Sequence, residues 1–317
     1  VFEDLQVALS ANCIRLLDNR DTIAASLYDA EIMLTAKEQQ NGQVAGRLNV
    51  ELPRMSASFK GTDYATDADI RLKVPYTLDL QTAEWNDIQR AVVELGDASL
   101  AINQFRVDVK GSATVQPDID VDLSLATNKW HISDVLALVP ANLFTMPEGI
   151  SADGEIELTA TAVGAYNDST MPIVDAVLVL SDATGAYAEL PYTLTDVQGE
   201  VATHLDQNKR QKTNATIRSL SAKTKQSSLS AKGEVSDLLG KMQMDLAADV
   251  NLNLPDVAYF LPKNMQVDGQ VKGPLTAKSS LDDLTNMRLT RGKITGNLDI
   301  KGLDFAMDSL LAKVDKA

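Results

Sequence analysis

Cysteine is almost missing from this chain of 317 residues: Cys13 stands alone, so no intrachain disulfide can form. We read Cys13 as a small buried hydrophobe. Histidine is nearly as scarce, with only His131 and His204. No HExxH run, Cys/His cluster, nucleophile elbow or glycine-rich phosphate loop accompanies them, so no nucleophile–base pair or metal site is expected. The chain reads as a non-enzyme without cofactor. Positive charge is also short: 29 Lys and Arg face 44 Asp and Glu, for a formal net charge of −15 and a pI near 4.6. That argues against nucleic acid, which needs a basic footprint, and against electrostatic docking on anionic lipid. Aromatic residues make up 5% of the chain, against 44% hydrophobic overall, so the apolar side chains are mainly aliphatic. No run approaches the roughly 18 apolar residues of a membrane-spanning helix, and no signal peptide is visible. The chain starts at Val1 without Met and reads as a fragment of something longer.

What is present is alternation. Ile156, Leu158, Ala160 and Ala162 alternate with Glu155, Glu157, Thr159 and Thr161, the period of a strand with one dry face. Ile173 to Leu180 is apolar on both faces apart from Asp175. Ser181 to Gly185 reads as a turn, with Gly185 supplying positive φ. Thr193 to Leu205 forms a further strand, so residues 149–205 make a meander without helix. Before it, Arg47 to Leu52, Met55 to Lys60, Ala68 to Val74 and Tyr76 to Leu80 read as separate strands. Pro53 and Pro75 are then expected at strand ends or edges. Phe2 to Leu9, Ile14 to Leu17 and Ser26 to Thr35 fit either strand or helix. About twenty short to medium strands are expected, an all-β and mostly antiparallel chain.

A repeat organises the later part. Lys110-Gly111 and Lys232-Gly233 stand 122 residues apart, as do Asp134 and Asp256, and Pro140 and Pro262. Phe105–Pro140 and Ser227–Pro262 therefore read as equivalent units. In each, a strand ends in Lys-Gly and a second alternating strand follows. Ile119, Val121, Leu123 and Leu125 form the dry face of that second strand in one copy. Met242, Met244, Leu246 and Ala248 form it in the other, after a one-residue slip. Short helices are expected at Ser133–Val139 and Pro255–Leu261, with Ser or Asp as N-cap and Pro255 early in the helix. Asp153-Gly154 and Asp268-Gly269 mark the next strand, and the first copy carries about seven extra residues around Asn142 to Glu148. Lys60-Gly61, Lys272-Gly273 and Lys301-Gly302 repeat the Lys-Gly pair, each read as a release into a turn. The expected domains are 1–103, an N-terminal β region; 104–226, a first β unit; and 227–317, a second.

Two acidic groups, Asp118/Asp120/Asp122 and Asp63/Asp67/Asp69, lack the spacing of a calcium loop and read as solvated faces. Asn167-Asp168-Ser169 and Asn214-Ala215-Thr216 match the glycosylation pattern, which is common by chance.

The turn before proline at Asp134–Pro140 and Asp256–Pro262, the strand start at Asp153-Gly154-Glu155-Ile156, and Pro172-Ile173 resemble the AsmA-like family of Gram-negative envelope proteins. Gly185-Ala186-Tyr187 with Leu190-Pro191, and the run from Gly296 to Gly302, belong to the same resemblance, which covers the last two thirds of the chain. The resemblance implies an elongated, curved sheet or groove built from repeated β units, in the periplasm, anchored in the inner membrane by a segment outside this chain. It implies a hydrophobic interior that conducts phospholipid or another apolar ligand towards the outer membrane. The groove candidates are Ile119, Val121, Leu123, Leu125, Ile156, Leu158, Met242, Met244 and Leu246. The alternative is an extended structural or adhesion scaffold whose aliphatic face fills its own core; alternation reads the same for both.

Overall fold

The computed structural model describes residues 4–18, 22–39, 42–80, 91–115, 118–138, 149–187, 190, 192–258, 265–285, 288, 291–307 and 310–316. Pro140, Pro191, Pro262 and the extra residues 142–148 lie outside these. The protein is all-β and antiparallel, with 79% of residues in strands and 7% in helices. The strands are β1 (Asp4–Asp18), β2 (Ile23–Glu38), β3 (Gln43–Phe59), β4 (Thr62–Leu80), β5 (Ala91–Ile102), β6 (Phe105–Val115), β7 (Ile119–Thr127) and β8 (Trp130–His131). Helix α1 (Ile132–Leu138) precedes β9 (Ile150–Tyr166), β10 (Ile173–Tyr187) and β11 (Thr193–Leu205). A 3-10 turn leads to β12 (Asn214–Lys223), β13 (Ser228–Ser236) and β14 (Gln243–Asn253), then α2 (Leu254–Val257) and β15 (Met265–Ser280). Helix α3 (Leu281–Thr285) and β16 (Lys293–Gly296), β17 (Asp299–Met307) and β18 (Leu310–Lys316) complete the chain. Both expected helices form, α1 close to its expected bounds. The expected run from Pro255 to Leu261 is helical in α2 through Val257, and residues 259–261 lie outside the described set.

Contacts divide the protein into two compact units. The first comprises Val1–Trp130, Asp134–Thr145 and Glu157–Asp175; the second comprises His131–Ser133, Met146–Ile156 and Ala176–Ala317. In the first, β1 to β7 pair in chain order and β7 then pairs with β9. In the second, β11 to β15 pair in chain order, and β15 carries β16 along one stretch and β17 along another.

The strands are longer than the alternation suggests, up to 19 residues in β4. The reason is the bulge. Arg47–Leu52 and Met55–Lys60 belong to one strand, β3, which carries Pro53 across a register shift between Leu52 and Met55. The two runs around Pro75 likewise join in β4, with a shift between Lys73 and Tyr76. Both prolines therefore sit inside strands, at bulges, where a missing N–H costs no ladder bond. The expected turn at Ser181–Gly185 is also a bend within a strand: β10 runs through it, and Asp182 rather than Gly185 takes the positive φ, 49°. Asp29 (φ 54°) and Asp67 (φ 48°) do the same in β2 and β4, since Asp tolerates the left-handed region better than most residues. The ambiguous N-terminal runs are strands β1 and β2 throughout, and Cys13 is exposed on β1 rather than buried.

Four of the five Lys-Gly pairs separate into two kinds, while Lys301-Gly302 lies inside β17 with Gly302 at φ 57° and open space around it. Lys60-Gly61 is a tight hairpin turn between β3 and β4, with φ of 50° and 77° at the two residues, the signature of a primed turn. Gly111, Gly233 and Gly273 instead lie within strands, at φ 132°, 155° and 143°. A Cβ on Gly111 would run into the Asp122 carbonyl oxygen, and one on Gly233 into that of Asp245. Glycine is there because the neighbouring backbone presses against it, not to release the chain.

Candidate functional site

The aliphatic faces form rows that cross the strands. In the first unit one row runs Ala36, Gly46, Tyr76, Leu95, Gly111, Leu123, Ala162 from β2 to β9. Gly46 leaves room for the Tyr76 ring, whose hydroxyl donates to the Thr35 carbonyl at 3.0 Å. In the second unit a row runs Ile217, Gly233, Leu246, Ala277, Ile294 from β12 to β16. Leu95–Gly111–Leu123–Ala162 and Ile217–Gly233–Leu246–Ala277 thus match at every position except the first, where Leu and Ile exchange. Even the bulge is repeated. The register slips between Leu95 and Ala98 in β5, and between Ile217 and Leu220 in β12. In both strands two exposed residues fall together in the bulge, and the next apolar residue returns to the dry face. The repeat at a spacing of 122 is therefore a repeat of backbone geometry.

All nine candidate residues lie among the described residues. Val121, Leu123, Leu125, Ile156, Leu158, Met242, Met244 and Leu246 are half-buried, and Ile119, at the end of β7, is 37% exposed. Met242 precedes β14 in a turn, with φ 45° and its N–H on the Asp237 carbonyl. Leu123 and Leu246 occupy equivalent row positions, each opposite a glycine. The longest uninterrupted alternation went unnoticed in the sequence. In β15, Val267, Val271, Leu275 and Ala277 face the dry side while Asp268, Lys272 and Lys278 face water. Gly269, Gly273 and Pro274 masked that signal by breaking it into short pieces.

Few large apolar side chains are fully buried among the described residues. Among the described residues the buried hydrophobic side chains are Ala30, Ala36, Val44, Ala68, Ala98, Phe105, Ala183 and Val250, mostly alanines. A self-filled sandwich buries the Leu, Ile and Val of two facing sheets. Strand packing here runs between hydrogen-bonded neighbours, with α2 resting on β14 and β15 and α3 on β15.

The dry face is also poor in polar groups. Along β3 to β7 and β12 to β15 its positions hold no Asp, Glu, Lys or Arg. Thr127 there accepts the Leu158 N–H at 2.9 Å, and Ser279 is buried with its hydroxyl unbonded. Near one end of the second unit's wall a cavity of about 1130 Å³ is lined by Met242, Met244, Ser279 and Leu281 together with Lys241, Asp283 and Arg291. Asp283 is held below the usual carboxylate range, first by the Ser280 hydroxyl and then by Arg288. It also bonds Arg291 at 3.5 Å. These contacts fix the turn at α3 rather than presenting a reactive group.

The acidic groups stay in solvent: Asp118, Asp120 and Asp122 are exposed, and no three Asp, Glu, His or Cys among the described residues come together as a ligand set. Asn167 uses its side-chain oxygen to accept the N–H groups of Ser169 (2.9 Å) and Thr170 (2.8 Å), an Asx turn. Asn214 begins strand β12. No helix among the described residues is long and apolar enough to cross a membrane. No family model, no curated protein and no solved structure matches this chain.

Proposed function

We propose that this chain is a non-catalytic, lipid-conducting wall, a segment of an AsmA-like envelope protein. The parent lies in the periplasm, is held to the inner membrane by a segment outside this chain, and moves phospholipid between the inner and outer membranes. One observation carries the reading: in each unit the aliphatic rows centred on Leu123 and Leu246 are half-buried rather than fully buried among the described residues. An acyl chain laid along such a row gains about 0.8 kcal/mol for each CH₂ it removes from water. Aliphatic walls suit sliding, because they hold hydrocarbon without fixing it at one point.

The test is photo-crosslinking in cells from Leu123 and Leu246, with Asp120 and Asp122 as controls on the opposite face. Lipid adducts from the leucines and none from the aspartates support the wall. The reverse pattern removes it and leaves the structural scaffold. Leu123→Asp and Leu246→Asp are expected to block transfer with the strand content unchanged by circular dichroism. His131→Ala and His204→Ala are expected to leave the parent's cellular function intact.

A further inference from the structure

The wall has a chemistry that narrows its occupant. Its backbone groups are spent on the strand ladders, and its dry rows carry no charged side chain along β3 to β7 or β12 to β15. The polar groups on those rows are engaged or covered: Tyr76 bonds the Thr35 carbonyl, Thr127 bonds Leu158, and the Ser279 hydroxyl is shut off from solvent. An extended peptide laid on this face would bring its own N–H and C=O groups into a place that cannot bond them, at a cost of about 1–3 kcal/mol for each. A hydrocarbon chain has no such groups. The occupant the wall fits is therefore acyl, with its head outside the dry rows.

Charge then acts on the head. The protein carries a formal −15, with most of the excess acid in the first unit. Several arginines that could offset it are already paired. Arg54, Arg71, Arg106, Arg218, Arg288 and Arg291 each sit on a carboxylate, and Arg15 donates to the Tyr28 hydroxyl at 2.7 Å. The lysines of the in-strand Lys-Gly pairs, Lys110, Lys232 and Lys272, all lie on the exposed side of their strands. An anionic head, lying outside the dry rows, thus meets the protein's net negative field, whereas a neutral or zwitterionic head does not.

We infer that the wall selects acyl lipids with zwitterionic or uncharged heads and discriminates against anionic ones. This rests on the lipid-wall reading above. The experiment loads the purified chain from vesicles holding equal amounts of phosphatidylethanolamine and phosphatidylglycerol, reisolates it, and quantifies the bound lipid by mass spectrometry at 0.05 M and 1 M salt. The expected result is an enrichment of phosphatidylethanolamine of about threefold at low salt, the size of one exposed charge interaction, shrinking towards parity at 1 M salt. Equal loading at low salt, or an excess of phosphatidylglycerol, overturns the selectivity and leaves the wall standing. Enrichment that persists unchanged at 1 M salt overturns the electrostatic cause. A chain that takes up neither lipid overturns the wall reading and the selectivity with it.

Discussion

Phe105 and Ser227 occupy the same place in the two units, 122 residues apart, and both are 7% exposed. The chemistry that fills the place differs completely. Phe105 packs edge-on against Trp130, with ring centroids 5.4 Å apart at 83°, and beside it Asn128 accepts the Arg106 N–H and the Trp130 indole N–H. Ser227 instead donates to Asp256 at 2.6 Å and accepts the Asn253 N–H at 2.9 Å, while Thr224 donates to the same carboxylate at 2.7 Å. Asp256 is therefore no helix cap; no side chain caps the N-terminus of α2. The wall positions a few residues away, Leu95–Gly111–Leu123 and Ile217–Gly233–Leu246, keep one solution in both units. A corner needs only to be filled and satisfied, which many chemistries do. A row in which a neighbouring carbonyl presses on the backbone has a single solution, glycine.

The sharpest way to break this comparison is at the glycines. Gly111→Ala and Gly233→Ala each force a Cβ into a backbone carbonyl at positive φ, and each is expected to cost about 3 kcal/mol in urea unfolding. Gly61→Ala, with open space around it and φ 77°, is expected to lose about 1 kcal/mol. Unequal losses at Gly111 and Gly233 would mean that the two rows are not equivalent.

The corner comes next. Phe105→Ala empties a buried aromatic site and is expected to cost about 3 kcal/mol. Ser227→Ala leaves Asp256 one donor short and the Asn253 N–H without its acceptor, with an expected loss of about 1.5 kcal/mol. If Ser227→Ala proved the costlier of the two, the polar corner would be the stronger clamp.

The smallest effect is on titration. Burial, and then the charge of Asp256, push the Tyr192 hydroxyl above its ordinary pKa. The folded protein thus holds that proton more tightly than the unfolded chain. Its contribution to stability is present below pH 10 and is lost as pH rises through the folded-state value. Asp256→Asn is expected to move the alkaline absorbance titration of Tyr192 part of the way back, the burial effect remaining. No movement would mean that Asp256 does not act on Tyr192.

The sequence carried the strands and the repeat because both are periodic. Val121, Leu123 and Leu125 announce their face by alternation alone, and the spacing of 122 survives from Lys110-Gly111 to Lys232-Gly233. It hid the continuity of the strands. Pro53, Pro75 and Asp182 look like breaks, and only the pairing partner decides whether a break is a turn or a bulge. Lys60-Gly61 and Lys110-Gly111 are identical dipeptides with opposite roles for the same reason. Nor could alternation tell an open wall from a closed core, since what lies over Leu123 is not written in the strand that carries it.

The neighbour-only packing of strands within each unit has a consequence for how such a protein changes over generations. A globular core couples every buried residue to many others, so inserting a hairpin means rebuilding the whole. In these sheets an added hairpin meets two strands and no common centre. Length becomes adjustable in small steps, one hairpin at a time, with rows such as Leu95–Gly111–Leu123–Ala162 left as they are.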